Sequence, residues 1–330
     1  MQRGAGCRPS PKILSCTLEV VAVTLGLRGI RRIDRTICLR FRKSMRKVLA
    51  TGATQNYLPV ISPYLETISA HSNFDVNILV ALDCRAEAPS NVKVAYLSNS
   101  DVTIRHSNNC LQHGEFMRAE AFAAFSDEDI ICFTDGDILM QRALSDAEIS
   151  LIESLSDNDV LVQFNAGKDD NLHEEYYRLQ PGLPHHHLEF LLGVDFRSLG
   201  CFNTGVVACN KKTWGEILRL YAKYFPLVKE HAIFGHYASQ QWILSLVLAR
   251  HMNVMPMAPS FHSHFHHGRI SGSRFVRSVH HHDDKVVLLS HFAMSDGLPL
   301  SKEGYVKHQV EYLRRNLKKF GWRRHFRLLG

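Results

Sequence analysis

Residues 129–137 constrain this chain more than any other stretch. Ile130, Ile131, Cys132 and Phe133 are consecutive apolar residues, the pattern of a short strand buried on both faces, and they run through Thr134 into Asp135-Gly136-Asp137. Chain direction puts both acids at the carboxyl end of that strand. Ligands bind at that end in open α/β sheets, and a glycine between the acids lets the backbone turn so that both face one point. Paired carboxylates with no neighbouring thiol suit Mg2+ or Mn2+, ions that usually meet a protein through one or two carboxylates plus substrate phosphates. Asp and Gly are also common turn residues, so the same tripeptide reads as a plain acidic turn until other parts of the chain are weighed.

Upstream, Lys47 to Thr51 reads as a first strand, and Tyr57, Ile61, Tyr64, Leu65 and Ile68 share one face of the helix that follows. Val76 to Leu82 and Val92 to Leu97 supply two more strands. Strand, helix and strand joined at these distances imply parallel pairing by right-handed crossover. A helix over Glu115 to Phe125 carries Arg118 beside its buried face. That guanidinium is either aimed at a phosphate or at the Asp pair, or is a solvated helix charge.

Downstream, Asp159 to Phe164 is a further strand, whereas residues 172–200 lack a clean period and are expected to be an insertion or acceptor-side loop. Cys201 to Asn210 opens with the small polar trio Asn203-Thr204-Gly205 and then turns apolar, which suits a backbone that approaches a ligand before entering the core. Trp214, Ile217, Leu218, Tyr221 and Phe225 make the face of the next helix. Residues 238–249 form another, apolar almost all round and hence buried. Its opening turn holds Ser239, Gln240 and Gln241, whose polar groups can reach a sugar hydroxyl or cap the helix.

The stretch 259–284 is rich in histidine and holds Arg269 and Arg274 with the two glycines Gly268 and Gly272. It is expected to be a mobile, solvated loop, with a lid over phosphates or a zinc site on alternating His262, His264 and His266 as the other readings. Val286 to Leu289 is a last buried strand that delivers His291 at its carboxyl end. If that strand lies parallel to the one ending at Asp135, His291 reaches the same edge of the sheet.

Charge is distributed unevenly. Residues 1–44 hold ten Lys/Arg against Glu19 and Asp34, residues 307–330 hold eight against Glu311, and the body between them carries a net −8. An acidic body with basic ends does not read as a nucleic-acid-binding fold. Cys132, Cys201 and Cys209 lie in apolar strand-like runs and no C-x-x-C occurs, so reduced core thiols and a cytoplasmic setting are expected. Residues 13–27 are apolar, but the run is short and contains Glu19. Three segments follow: a basic arm over 1–44 that need not belong to the folded unit, a domain over 45–301, and a basic amphipathic helix over 302–330. That helix either packs on the domain or attaches the protein peripherally to an anionic membrane surface.

Five separated features together resemble the GT-A fold, metal-dependent nucleotide-sugar glycosyltransferases, and look most like glycosyltransferase family 8 and its neighbours. They are Ala50 to Leu58, Phe116-x-Arg118 ahead of the strand into Asp135-x-Asp137, Phe202-Asn203-Thr204-Gly205-Val206, Ser239-Gln240-Gln241, and late His291, over roughly residues 46–300. Ser239 and Gln241 stand where the family usually has acidic residues, and no lysine follows His291 at the family's interval. The resemblance implies a single Rossmann-like α/β domain with a mostly parallel central sheet flanked by helices. It also implies hexose transfer from a nucleotide-diphosphate sugar, with uridine the expected base, to a glycan or glycolipid hydroxyl, with retention. Asp135, Asp137 and His291 would bind Mn2+ or Mg2+. Thr51, Gln55, Asn56 and Tyr57 would hold the nucleotide, with Arg118, Asp135 and Gly205 also touching the donor. Gln240, Asn203 and Arg118 would serve the transfer. The rival readings are a sugar nucleotidyltransferase, which usually has a basic Gly-rich loop after the first strand that Gly52 to Gln55 lacks, and a non-catalytic protein binding anionic surfaces through its ends.

Overall fold

The structure is a computed structural model that describes residues 45–97, 127, 129–165, 171–179, 186–231, 236–264, 273–276 and 279–291. All of these lie within one compact unit, Lys43–Gly330. The basic arm, the helix carrying Arg118, the Arg269 loop and the carboxyl-terminal basic helix fall outside the described residues, as do the side chains of Asn56, Ser239 and Arg274.

Strand β1 (Lys47–Thr54) lies inside the sheet, and its six middle residues are all buried because layers cover both faces. A 3-10 turn, Gln55–Tyr57, leads from it into α1 (Leu58–His71), which runs on through a buried Pro63. Strands β2 (Val76–Leu82) and β3 (Val92–Leu97) follow, each parallel to its neighbour, as the crossover argument requires. Strand β4 (Ile130–Thr134) lies parallel to β1 on its other side, with Thr134 level with Thr51. Then come β5 (Ile138–Met140), α2 (Asp146–Glu153) and β6 (Asp159–Phe164). After these the chain adds α3 (Leu172–Leu179), α4 (His186–Leu192), β7 (Phe202–Asn210), α5 (Lys211–His231), α6 (His236–His251) and β8 (Asn253–Pro256). The seven-stranded sheet has the order β3-β2-β1-β4-β7-β6-β8 and is mostly parallel, with β7 antiparallel to both β4 and β6. This is the flanked α/β sheet that the strand pattern implies.

The reversal of β7 matters most for the site. A strand antiparallel to β4 begins where β4 ends. Phe202, Asn203, Thr204 and Gly205 therefore sit beside Asp135 although they open their strand rather than close it.

Three expectations are corrected. Residues 172–200 are not a loop: α3, α4 and a 3-10 turn at Phe196–Ser198 bury Leu172, Tyr176, Leu188, Leu192 and Phe196. Helices of eight and seven residues hold too few turns for a period to show. Nor, where it is described, is the histidine-rich stretch a solvated loop. It contains β9 (His262–His264), β10 (Ser273–Val276) and β11 (Val279–His282), and His262 and His280 are both 0% exposed. The last strand is likewise split into β12 (Lys285–Val286), paired with β11, and β13 (Leu289–His291). Strand β13 does not join the central sheet, because β4 already has β1 and β7 on its two sides. It forms a separate three-stranded sheet, parallel to β9 and antiparallel to β5.

Helix α6 is buried from Trp242 to Leu248, as its uniform apolarity requires. Trp242 lies edge-on to Phe196 with ring centroids 4.9 Å apart, and its Nε1–H donates to the Leu172 carbonyl at 3.2 Å. The segment read as irregular from sequence is thus held by packing against α6. Trp242→Ala should cost about 3–5 kcal/mol in a denaturant titration, as expected for truncation of a large buried aromatic.

Candidate active site

The first two site residues leave β4 together. Asp135 donates its backbone N–H to the Gly205 carbonyl at 2.7 Å, which ties the acidic turn to the start of β7. Below them a polar knot fixes the strand ends. Thr51 Oγ1 donates to the Thr134 carbonyl at 2.9 Å, Thr134 Oγ1 donates to the Ala50 carbonyl at 3.2 Å, and Tyr64 pairs with Thr134 Oγ1 at 2.8 Å. Burial pushes the Tyr64 phenol upward, so it stays neutral in this role.

Gly136 is required for a reason other than turning freedom, because Gly193 is the positive-φ glycine among the described residues. A Cβ at Gly136 would stand 2.9 Å from Tyr57 Cε1 and 3.2 Å from Ile61 Cγ1. Close packing of α1 and its preceding turn therefore demands the missing side chain. It also places Tyr57 directly against the acidic turn.

His291 comes from the small sheet. Strand β5 continues the chain out of Asp137, and β13 returns antiparallel to it with His291 opposite Ile138. The imidazole Nε2 accordingly lies 3.2 Å from Asp137 Oδ1, with Asp137 5% and His291 2% exposed. One ligand atom each from Asp135, Asp137 and His291 can be chosen so that all lie within 4.8 Å of one another. Gly205 makes the space: a Cβ there would lie 2.8 Å from His291 Nδ1 and closer still to Cε1. Burial pulls the His291 pKa down, but the Asp137 carboxylate, through its charge and its hydrogen bond, outweighs burial and leaves it raised, with Asp135 adding to the effect.

Two carboxylates and an imidazole are a donor set that suits a divalent ion such as Mn2+ or Mg2+, and their convergence in a buried place fits one. The polar trio has a structural duty as well. Asn203 Oδ1 accepts the Gly205 N–H at 3.0 Å, so its Nδ2 is the atom left to meet a ligand.

Other candidate residues are placed differently. Thr51 is 1% exposed and its hydroxyl is committed to the sheet, so it shapes the strand end rather than offering a donor to a nucleotide. Gln55 is exposed and Tyr57 half-buried at the mouth of β1. Gln240 is half-buried on α6, already inside the helix, which starts at His236, and so is not a cap. That helix is pinned by Ser245, whose hydroxyl accepts from the Phe202 N–H at 3.0 Å and donates to the Phe202 carbonyl at 3.2 Å. Gln241 lies one turn before Ser245 on the same face of the helix.

Sequence reasoning missed three groups. Gln163, 5% exposed at the end of β6, is level with Asn203, and its Oε1 has no hydrogen-bond partner among the described residues. A glutamine inside an apolar strand was the available signal. His262 lies behind His291, its Nε2 3.3 Å from His291 Nδ1, and burial, then the neighbouring His291 and His280, hold it neutral. Ser290 beside His291 is held by the Gln141 side chain and by His280 Nδ1 at 2.9 Å, while Gln141 Oε1 accepts the His280 N–H at 2.8 Å. No local pattern reveals the last two arrangements.

No protein-family model and no curated protein sequence matches the chain. Solved structures do. The bifunctional glycosyltransferase WbbM in its apo form superposes with a TM-score of 0.50 at 14% identity, over 82% of this chain and 50% of that longer one. The fold is that of the GT-A glycosyltransferases. The galactosyltransferase LgtC, in complex with donor and acceptor sugar analogues, aligns over 81% of this chain and 95% of its own, with 16% identity and a TM-score of 0.47. An active-site variant of LgtC gives 0.48 at 16% identity, over 80% and 95%. Within this GT-A architecture, Asp135 and Asp137 stand at the carboxyl edge of the parallel half of the sheet, where ligands bind in open α/β folds. Among the described residues no helix is long and apolar enough to cross a membrane. The described cysteines, Cys84, Cys132, Cys201 and Cys209, are buried free thiols, with Cys132 pushed up to about 12 by burial.

Gly205→Ala should drive the His291 ring from its place. A loss of about 1–3 kcal/mol in urea unfolding is expected, the usual cost of an overpacked interior. A second outcome concerns pH. Burial, then the nearby His282 and His281, lower the His280 pKa from 6.5 to about 4. The unfolded chain therefore takes up a proton near 6.5 that the folded protein refuses until about 4. This contribution to stability is complete above pH 6.5 and is lost as pH falls towards 4. His280→Asn should flatten part of that decline in unfolding temperature.

Proposed function

We propose that the protein transfers a hexose from a nucleotide-diphosphate sugar, with a UDP-sugar the expected donor, to a hydroxyl of a sugar or glycolipid acceptor. The observation that carries this reading is the meeting of Asp135, Asp137 and His291 at the ligand-binding edge of a GT-A sheet. The class of reaction is further supported by the fold shared with WbbM, itself a glycosyltransferase.

In this reading Asp135, Asp137 and His291 hold Mn2+ or Mg2+. When bound, the ion neutralises charge that develops on the departing diphosphate. Burial of Asp137 and His291 keeps water from screening that attraction. Tyr57, with Gln55 and Asn56 at the mouth of β1, holds the nucleoside, and Arg118 is the proposed cation beside the diphosphate. Asn203 through Nδ2, Gln240 and Gly205 orient the hexose. The bond from the anomeric carbon to the diphosphate oxygen breaks, and a bond to the acceptor oxygen forms as that hydroxyl gives up its proton. Retention is carried over from the resemblance to family 8.

Incubating the full chain with Mn2+ and a panel of nucleotide sugars should give slow hydrolysis of one donor, abolished by chelation. Absence of turnover and of thermal shift with every donor plus metal would sink the proposal. Asp137→Asn should abolish metal-dependent donor binding while the unfolding temperature of the metal-free protein changes little.

A further inference from the structure

His262 belongs to none of the roles above, yet it is the buried polar group that touches His291 from the side away from Asp137. It lies on β9, the parallel neighbour of β13, at 0% exposure. Its Nε2 stands 3.3 Å from His291 Nδ1, and the two rings are nearly parallel, with centroids 5.4 Å apart and planes 28° from one another. The two nitrogens of His291 are thus addressed separately, Nε2 by Asp137 at 3.2 Å and Nδ1 by His262.

Coordination chemistry assigns the proton of His291. An imidazole that offers its Nε2 lone pair to a cation must carry its proton on Nδ1, where an acceptor stabilises it. His262 Nε2 is within reach and accepts that N–H when His262 is neutral with its own proton on Nδ1. That contact also limits rotation of the His291 ring, while bare Gly205 leaves room for it on the Cε1 edge.

We propose that His262 is a positioning residue: by accepting a hydrogen bond from the Nδ1–H of His291, it fixes the tautomer that presents Nε2 to a divalent cation beside Asp135 and Asp137. The proposal rests on the metal reading of the preceding section. It assigns a task to a histidine that sequence alone placed in a solvated loop.

The test compares Mn2+ binding to the full-length protein, by calorimetry and without nucleotide, for wild type, His262→Phe and His262→Gln. Phe keeps a ring of similar size but removes the acceptor, whereas Gln can return an oxygen near the Nε2 position. The Kd for Mn2+ should rise about ten- to hundredfold in His262→Phe, the usual consequence of losing a partner behind a metal ligand, and recover most of the way in His262→Gln. Unfolding temperatures in chelator separate this from a general loss of structure. Long-range proton–nitrogen NMR of the Mg2+-loaded wild type provides a second readout that needs no variant. It should show His291 and His262 both protonated on Nδ1. Wild-type affinity in a folded His262→Phe protein, or a proton on His291 Nε2 with Mg2+ bound, overturns the proposal while leaving the metal site standing. A wild-type protein that does not bind Mn2+ overturns the metal site itself, and this proposal with it.

Discussion

A buried carboxylate and a buried imidazole 3.2 Å apart, Asp137 and His291, set the terms for the rest of the site. Removing such groups from water is costly unless each has a partner and the geometry is held. The surrounding residues provide that hold. Asp137 follows an acidic turn tied through the Asp135 N–H to Gly205, and His291 lies between the space left by that glycine and the ring of His262. Behind it, Ser290 is anchored by Gln141 and His280, which joins β13 to the β10-β11 hairpin. A local change at Gly205 or Gln141 is therefore felt at His291.

Topology explains how such distant segments meet. Because β7 is antiparallel to β4, the opening residues of one strand lie beside the closing residues of the other. Asn203 to Gly205 and Asp135 to Asp137 consequently share one edge. The central sheet offers no third position beside β4, so His291 arrives on a separate sheet whose first strand, β5, is the direct continuation of Asp137. One tripeptide thus links two sheets, following a strand of the large one and preceding a strand of the small one. That link brings carboxylates and imidazole within 4.8 Å.

Two glycines carry more of this arrangement than their turn propensity would indicate. Gly136 lets Tyr57 and Ile61 pack against the acidic turn, and Gly205 lets His291 approach the β7 backbone. In both cases the missing Cβ is replaced by another residue's ring or side chain. The site is built by close packing as much as by charge.

Much of the fold was legible in the sequence. Apolar runs gave the β1, β2, β3, β4 and β6 strands, and all-round apolarity gave the buried helix around Trp242, because period and run length are local properties. The acids at the end of β4 followed from chain direction alone. Local pattern could not reveal α3 and α4, which are too short to show a period and are held to α6 by Tyr176 and Leu172 against Trp242 and by the Leu192 carbonyl accepting from Arg250. Nor could it reveal that His262 and His280 are buried, since exposure depends on which strands cover them. The sequence by itself determined that two carboxylates stand at the carboxyl edge of a parallel sheet and that a histidine follows a late apolar run. Only the tertiary structure decided that this histidine reaches Asp137 through a second sheet, with His262 against its other nitrogen. The physical reason is that strand pairing between segments far apart in the chain is fixed by which sheet edges remain free, and no local pattern records that.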